Sequence, residues 1–197
     1  MNCLSACISA LFSCCPLLAT ATPPVLSDYK WTETIDGNGM TFRLVTPTRD
    51  KSFLAICDMY KLSEEKLAIE LQDMVLWCIY NKDNQPVGAI QLNSYSSLQS
   101  LTKQVSDGQL AEYLFSSQKT IELSYALAEQ SRGKGVGSKA VKAFIDHARS
   151  CNWGKHLFAV VSKENQPSIR ILEKNSLSHI GNYYHDEVKE HIRLYAL

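Results

Sequence analysis

The sequence of 197 residues is long enough for one domain with a hydrophobic core, and its length argues against two domains. Hydrophobic residues make up 45% and charged residues 20%, the composition of an ordinary globular protein. The 20 Lys and Arg residues balance 20 Asp and Glu residues, so the composition argues against a basic nucleic-acid surface, and we expect no nucleic acid partner.

Residues 1–28 have the composition of a targeting or disordered leader, and the folded domain is expected to occupy residues 29–197. The leader is almost entirely apolar or small and holds four cysteines: Cys3, Cys7, Cys14 and Cys15. Residues 1–24 lack the Lys or Arg of a secretory n-region. Their length and their cysteines leave membrane association open beside cleavage or disorder. We expect a cytoplasmic protein, with membrane association through residues 1–24 as the open alternative.

Cysteines outside the leader are few and scattered: Cys57, Cys78 and Cys151. They do not have zinc-ligand spacing, so we expect no metal site, and we interpret them as small buried hydrophobic residues of a reducing compartment.

The first half of the domain mixes strand and helix patterns. Period-two alternation predicts a hairpin over 29–35 and 40–46, with Asp36-Gly37-Asn38-Gly39 as its turn. Helical spacing follows at 51–60 and 63–74, and a second hairpin at 75–80 and 86–92. Residues 94–118 are polar with scattered apolar positions, which favours one or two short helices over a long irregular loop.

The second half alternates more regularly. A strand is predicted over 119–128, with Ile121 and Leu123 on one face and Glu122 on the other. After a glycine loop, the pattern predicts a helix at 137–150, a strand at 156–161, a helix entered at Asn165, and closing strands at 180–184 and 191–197. This order predicts an α/β or α+β sheet with helices packed on it.

The glycine loop, EQSRGKGVGSKAV over residues 129–141, has three glycines on alternate positions: Gly133, Gly135 and Gly137. Each glycine costs about 1 kcal/mol relative to Ala inside a helix, so the backbone there needs positive φ or close approach of a ligand. Amides at the start of a helix bind anions, which indicates a phosphate ligand, although a flexible helix entry is the alternative. The spacing matches neither a P-loop nor a dinucleotide-binding fingerprint.

Arg132-x-x-Gly135-x-Gly137, between a strand and a helix, resembles the acetyl-CoA pyrophosphate loop of the GCN5-related N-acetyltransferase (GNAT) family. The surrounding IELSYALAEQSRGKGVGSKAV and the later ENQPSIRILEKNSL are similar to the subfamily that acetylates N-termini of ribosomal proteins, together with its antibiotic and small-amine relatives. The resemblance spans roughly residues 40–197. It implies a mixed, mostly antiparallel sheet with helices on both faces, whose fourth and fifth strands, at 119–128 and 156–161, splay apart around pantetheine.

The resemblance also implies how acetyl-CoA is held. Main-chain groups of Leu127 would bond the pantetheine amides, and Asn165 would contact the cofactor arm or a bound water. Backbone amides of seven consecutive residues would hold the pyrophosphate: Arg132, Gly133, Lys134, Gly135, Val136, Gly137 and Ser138. A Cβ at Gly135 or Gly137 would then push the phosphates away.

Catalysis by direct attack requires an acceptor amine without its extra proton, and an amine of pKa near ~10.4 is almost fully charged at neutral pH. Glu122 is the candidate base, directly or through water, since the family often has an acid there. The family's tyrosine acid is replaced by Leu172, and the resemblance offers Ser168 as the proton donor to the CoA thiolate. Structural alternatives stay open: Glu122 as an ion-pair carboxylate, and Asn165 and Ser168 as caps of the helix.

The expected activity is therefore acetyl transfer from acetyl-CoA to a primary amine in a ternary complex. The acceptor stays open among a protein N-terminus, a lysine and a small amine, and so does the choice between monomer and homodimer. A CoA-binding regulatory or interaction module without turnover is the alternative function.

Overall fold

The computed structural model describes residues 30–72, 74–93, 121–151, 157–185 and 189–197. The leader and the helices predicted within 94–118 lie outside these residues. The elements in chain order are β1 Thr34–Gly37, β2 Met40–Leu44, α1 Lys51–Tyr60, α2 Glu64–Glu70, β3 Met74–Tyr80, β4 Pro86–Asn93, β5 Ile121–Leu127, the 3-10 turn Glu129–Ser131, α3 Val136–Ser150, β6 Leu157–Ser162, α4 Gln166–Lys174, β7 Ser178–His185 and β8 Glu190–Ala196.

These strands form one eight-stranded sheet in the order β1-β2-β3-β4-β5-β6-β8-β7. Every neighbouring pair is antiparallel except β5 and β6, which are parallel. Both predicted hairpins are confirmed, but β1 begins only at Thr34 and includes Asp36 and Gly37, which were predicted as part of the turn. In the first, Asn38 and Gly39 adopt φ of 52° and 73°, the left-handed conformations that a tight two-residue hairpin turn requires.

Alternation along the central strands separates two cores. Trp77 and Ile79 of β3 pack against α3 and α4, whereas Leu76 and Cys78 pack against α1 and α2 on the other face. Consecutive strand residues point to opposite faces, so each strand contributes to both layers. Helices therefore cover both faces of a mostly antiparallel sheet, as the family resemblance implied.

Local chemistry explains most helix boundaries. Asp50 caps α1 by accepting hydrogen bonds from the backbone amides of Ser52 and Phe53, both at 2.9 Å. The prediction of a helix over 63–74 is too long, because Met74 already pairs with Asn93 as the first residue of β3 and is buried in the core.

Cys57 and Cys78 are buried as expected, but Cys151 is exposed at the end of α3. None of the helices in the described residues is long and apolar enough to cross a membrane.

Candidate active site

The sheet opens between β5 and β6. Among the residues that the structure describes, their main-chain pairing comprises Ile121 with Leu157 and Glu122 with Phe158. Beyond Glu122, β5 continues for five residues to Leu127, beside β4 but without a register partner on β6. The predicted splaying of these two strands is therefore confirmed, and the opening exposes a strand edge whose backbone groups are available to an extended ligand.

Glu122 lies at the closed end of this opening and is only 7% exposed. Its side chain is on the α1 and α2 face of the sheet, as the alternation with Ile121 and Leu123 predicted. Asn93 Nδ2 donates to Glu122 Oε2 at 3.5 Å, and Ser124 Oγ donates to Glu122 Oε1 at 3.4 Å. Each carboxylate oxygen therefore accepts a hydrogen bond, one from a residue of β4 and the other from a residue of β5.

Two cross-strand pairs form a polar group around this carboxylate. Asn93 is opposite Glu122 and Gln91 is opposite Ser124 in the β4–β5 register. Gln91 is buried and donates from Nε2 to Asn93 Oδ1 at 3.1 Å. Buried polar side chains are retained where they are hydrogen-bonded, and these bonds run from Gln91 through Asn93 to Glu122. The carboxylate thus has a fixed orientation.

Tyr60 connects α1 to β5 farther along the strand. Its hydroxyl donates to the carbonyl of Ala126 at 3.0 Å, and burial raises the pKa of the phenol, so the group stays protonated at neutral pH. A Cβ at Gly88 of β4 would lie 2.5 Å from that same carbonyl oxygen. Glycine is therefore required at position 88 because the Ala126 carbonyl approaches β4 closely.

The glycine loop runs from the end of β5 to the start of α3. Gly133 and Gly135 have φ of 70° and 75°, and an added Cβ would meet no atom within 4 Å at either position. Glycine is therefore required there by backbone conformation and not by crowding. Gly135 is the N-cap of α3 and supplies no side chain, so the first amides of a 15-residue helix open onto an exposed loop.

Gly137 differs from the expectation drawn for it. It is buried, and a Cβ there would lie 2.9 Å from Ile171 Cδ1 and 3.1 Å from Leu127 Cδ1. Its lack of a side chain lets α3 pack closely on α4 and β5. The space beside Gly137 is thus filled by the protein itself, and close helix packing explains this glycine better than contact of a Cβ with phosphate.

The remaining predicted loop residues are distributed around the α3 terminus. Arg132 and Lys134 are exposed, while Val136 and Ser138 are half-buried. Arg132 turns back onto the end of β5, where its Nε and Nη2 both donate to the carbonyl of Leu127 at 3.2 Å. The guanidinium therefore occupies the main-chain acceptor that was predicted for pantetheine.

Asn165 and Ser168 lie at the start of α4, on the β6 side of the opening. Asn165 is the N-cap and accepts a hydrogen bond from the backbone amide of Ser168 at 3.2 Å, so the capping interpretation of Asn165 describes its contact in this structure. Leu172 is buried in the core. The hydroxyl of Tyr125 in β5 donates to the carbonyl of Ser168 at 3.3 Å, which brings the two sides of the opening together.

Sequence reasoning missed four residues of this site: Tyr60, Gln91, Asn93 and Tyr125. Polar residues in a predicted core strand were a usable signal for Gln91, because a buried amide requires partners. Its pairing with Ser124 depends on the strand register, which a single sequence does not reveal.

This geometry fits coenzyme A. An exposed helix start with left-handed glycines suits a diphosphate, the open edge of β5 suits an extended amide chain, and a buried carboxylate lies at the far end. These features define a class of protein, the CoA-dependent acyltransferases. In the described residues no group of three or more His, Cys, Asp or Glu is arranged to hold a metal ion.

Comparison with known proteins supports this class. The family model described as "Acetyltransferase (GNAT) domain" matches residues 36–177. The chain therefore belongs to the GNAT acetyltransferase family and is an acetyl-CoA-dependent acyltransferase that transfers an acetyl group to an amine. No curated protein matches the chain.

Solved structures share the fold at low identity. RimL, a ribosomal-protein α-N-acetyltransferase in complex with coenzyme A, is 14% identical with a TM-score of 0.62, covering 83% of this chain and 96% of its own. An acetyltransferase from Salmonella typhimurium that modifies the N-terminal serine of a ribosomal protein is 14% identical with a TM-score of 0.61, at 83% and 97% coverage. Spermidine N-acetyltransferase from Vibrio cholerae is 11% identical with a TM-score of 0.56, at 80% and 92% coverage.

Proposed function

We propose that this chain acetylates a primary amine by direct attack in a ternary complex, with Glu122 as the base and Ser168 as the proton donor to the leaving thiolate. The observation that carries the proposal is the buried carboxylate of Glu122 at the point where β5 and β6 separate. A carboxylate oriented by Asn93 and Ser124 is suited to accept a proton from a bound ammonium, directly or through water.

Acetyl-CoA would supply the acetyl group activated as a thioester. Backbone amides from Arg132 through Ser138 would hold its pyrophosphate, helped by the positive end of α3 and by the charges of Arg132 and Lys134. The backbone amide of Leu127 and the side-chain NH2 of Asn165 would hold the arm, since the Leu127 carbonyl accepts from Arg132 and Asn165 Oδ1 accepts from Ser168 in this structure. Leu127 and Glu122 are five residues apart on one strand, which is about 17 Å, so the loop and the base bracket an extended ligand.

The chain's own residues would manage two protons. The bound ammonium first gives one proton to Glu122, which frees the lone pair that attacks the acetyl carbon. When the carbon–sulfur bond breaks, the hydroxyl of Ser168 gives its proton to the departing thiolate, whose pKa is near the ~8.5 of an ordinary thiol, and the Ser168 oxygen takes the second proton of the attacking nitrogen. Glu122 then releases its proton to water. Burial of Glu122 keeps bulk water from competing for the same carboxylate.

The acceptor class is proposed from the kind of base and from the relatives, which act on an N-terminal serine and on spermidine. An α-amine has a pKa near ~7.7–8.0, so a larger neutral fraction is present at pH 7 than for a lysine at ~10.4. A protein N-terminus therefore places a smaller demand on Glu122 than a lysine does.

Mass spectrometry with the purified full chain tests this function. The chain is incubated with acetyl-CoA and with separate acceptors: peptides with free N-terminal Ser or Ala, a peptide with an internal lysine and a blocked N-terminus, and spermidine. We expect acetylation of at least one acceptor. Acetyl-CoA binding by calorimetry without acetylation of any acceptor would instead identify a CoA-binding module without turnover.

We further propose that the domain acts in the cytoplasm and that its leader associates with a membrane. Residues 1–24 would tether the domain, as a monomer or a homodimer, to the cytoplasmic face of a membrane. The domain would then remain in the compartment where acetyl-CoA is made. Cell fractionation of the full chain against a chain without residues 1–24 tests the tether, since only the longer chain should enter the membrane fraction. Equal distribution of the two chains would contradict it.

A further inference from the structure

The hydrogen bond between Tyr125 and Ser168 spans the open part of the sheet. Tyr125 lies three residues beyond Glu122, the last β5 residue that pairs with β6. Its ring is half-buried against the core beneath α3 and α4, and its hydroxyl donates to the carbonyl of Ser168 at 3.3 Å. A directional bond therefore links β5 to the first turn of α4 where main-chain pairing has already ended.

The backbone amide and the backbone carbonyl of Ser168 are each hydrogen-bonded to a neighbouring side chain. Asn165 Oδ1 accepts from the Ser168 amide at 3.2 Å, and Tyr125 donates to the Ser168 carbonyl. A carbonyl oxygen has two lone pairs, so this bond is compatible with the helical hydrogen bond from four residues later. With both backbone groups held, the position of the Ser168 backbone relative to β5 is constrained.

The neighbouring contact across the opening is apolar. Leu127 and Ile171 both pack beside Gly137, with methyl groups 3.1 Å and 2.9 Å from where a Cβ of Gly137 would lie. Packing of this kind sets how closely α4 approaches the sheet but permits sliding, because dispersion contacts have little directionality. The Tyr125 hydroxyl supplies the directional constraint that the apolar contact lacks.

We propose that Tyr125 is a positioning residue for Ser168, holding the first turn of α4 so that the Ser168 hydroxyl is aimed into the opening. This inference rests on the proposed function, in which that hydroxyl protonates the leaving thiolate. Burial raises the pKa of Tyr125 to about 12, so the phenol remains a hydrogen-bond donor throughout the neutral range.

Steady-state kinetics of Tyr125→Phe in the full chain test the role, because this change removes one oxygen and keeps the ring. We expect kcat to fall about threefold to tenfold, with the KM for acetyl-CoA within about twofold and the shape of the pH–rate profile unchanged. Calorimetry with acetyl-CoA verifies that the variant is folded.

Tyr195→Phe is the matched control. The Tyr195 hydroxyl donates to Glu173 of the same helix at 3.0 Å, from β8, so its loss removes an equivalent strand-to-α4 bond away from the opening. We expect kcat of Tyr195→Phe to stay within about twofold of the parent. An equal effect of the two variants, or no effect of Tyr125→Phe, would overturn the positioning role.

Combining Tyr125→Phe with Ser168→Ala separates this inference from the proposed function. If Tyr125 acts through Ser168, the double variant is no slower than Ser168→Ala alone. A further threefold to tenfold loss in the double variant, or loss of the basic limb of the pH–rate profile in Tyr125→Phe, would show independent action of Tyr125 and overturn the inference. Full activity of Ser168→Ala would remove the proposed acid and the inference with it. An impaired Ser168→Ala beside an unaffected Tyr125→Phe would overturn the inference alone.

Discussion

The carbonyl oxygen of Leu127 accepts two hydrogen bonds from the guanidinium of Arg132, both at 3.2 Å. This contact closes the turn between β5 and the glycine loop, and it occupies a main-chain group at the edge of the opening. A planar guanidinium makes such a paired contact, whereas an ammonium does not. Arg132 therefore has a role in loop shape in addition to its charge.

Arg132→Lys distinguishes these two contributions to acetyl-CoA binding. The variant keeps the positive charge but loses the paired contact with Leu127, so the loop amides are less well ordered. We expect the KM for acetyl-CoA to rise about fivefold to tenfold, as for loss of about 1 kcal/mol of ordering, and kcat to change little. Titration calorimetry checks the affinity directly. Lys134→Gln, which removes an exposed charge without a contact at Leu127, serves as the comparison, and a parent-like KM in Arg132→Lys would contradict the loop-shape role.

Gly135→Ala should impair cofactor binding through backbone conformation. The residue has φ of 75° with open space around it, so an alanine is strained by about 1–2 kcal/mol without any clash. If the loop relaxes to relieve that strain, the amides at the start of α3 turn away from the diphosphate. We expect the KM for acetyl-CoA to rise about tenfold in steady-state assays. An unchanged KM would indicate that these amides do not contact the cofactor.

Gly137→Ala should impair packing instead. The new methyl group would lie 2.9 Å from Ile171 Cδ1 and 3.1 Å from Leu127 Cδ1, which overpacks the contact among α3, α4 and β5. The higher helix propensity of alanine offsets about 1 kcal/mol of this cost. Both contacted atoms are the ends of flexible side chains, so we expect a net loss of no more than about 1 kcal/mol in the free energy of unfolding, measured by urea denaturation, with a smaller change in KM than for Gly135→Ala. Equal effects of the two variants on KM would contradict the distinction.

Glu122→Gln should remove the base while keeping the shape of the site. We expect kcat to fall about 100-fold at pH 7 and acetyl-CoA affinity to be unchanged. The difference in kcat between the variant and the parent should become smaller as pH rises toward the pKa of the acceptor, since more of the amine is then neutral in solution. Rate profiles between pH 6 and pH 10 check this, with the exposed Glu190→Gln as control. A variant that keeps half of the parent activity at pH 7 would leave Glu122 as a structural carboxylate.

Stability at high pH should depend on the buried tyrosines. Burial raises the pKa of Tyr125 from 10.0 to about 12, and burial also raises the pKa of Tyr60. Between pH 10 and about 12 the unfolded chain loses these protons before the folded chain does. The folded state then binds more protons, so the free energy of unfolding falls as pH rises through this window. Urea denaturation at several pH values should show a shallower fall for Tyr125→Phe, and an identical slope would contradict it.

Local patterns were sufficient to predict much of the fold. Alternation and turn chemistry gave both hairpins, and the helical period gave α1 and α3 with their ends nearly correct. The end of α2 was missed because Met74 is held in β3 by its pairing with Asn93, a tertiary contact that overrides the apolar spacing of the helix.

The candidate site was less accessible to sequence reasoning, because its residues meet through register and close packing. Glycine in a loop has more than one cause, so Gly135 and Gly137 were given the same role although one is open and the other is crowded by Ile171. In the sequence, Asn93 lies just past the strand predicted at 86–92, and Tyr125 lies within the strand predicted at 119–128. Only the β4–β5 register and the approach of α4 bring them to Glu122 and Ser168.

Hydrogen exchange with and without acetyl-CoA tests the proposed cofactor site, because it reports on main-chain amides residue by residue. We predict slower exchange at residues 123–127 and 132–138 when acetyl-CoA is added. Protection confined to another surface, such as a depression lined by Lys142, Asp146, Arg149 and Lys174, or no protection at all, would contradict this prediction.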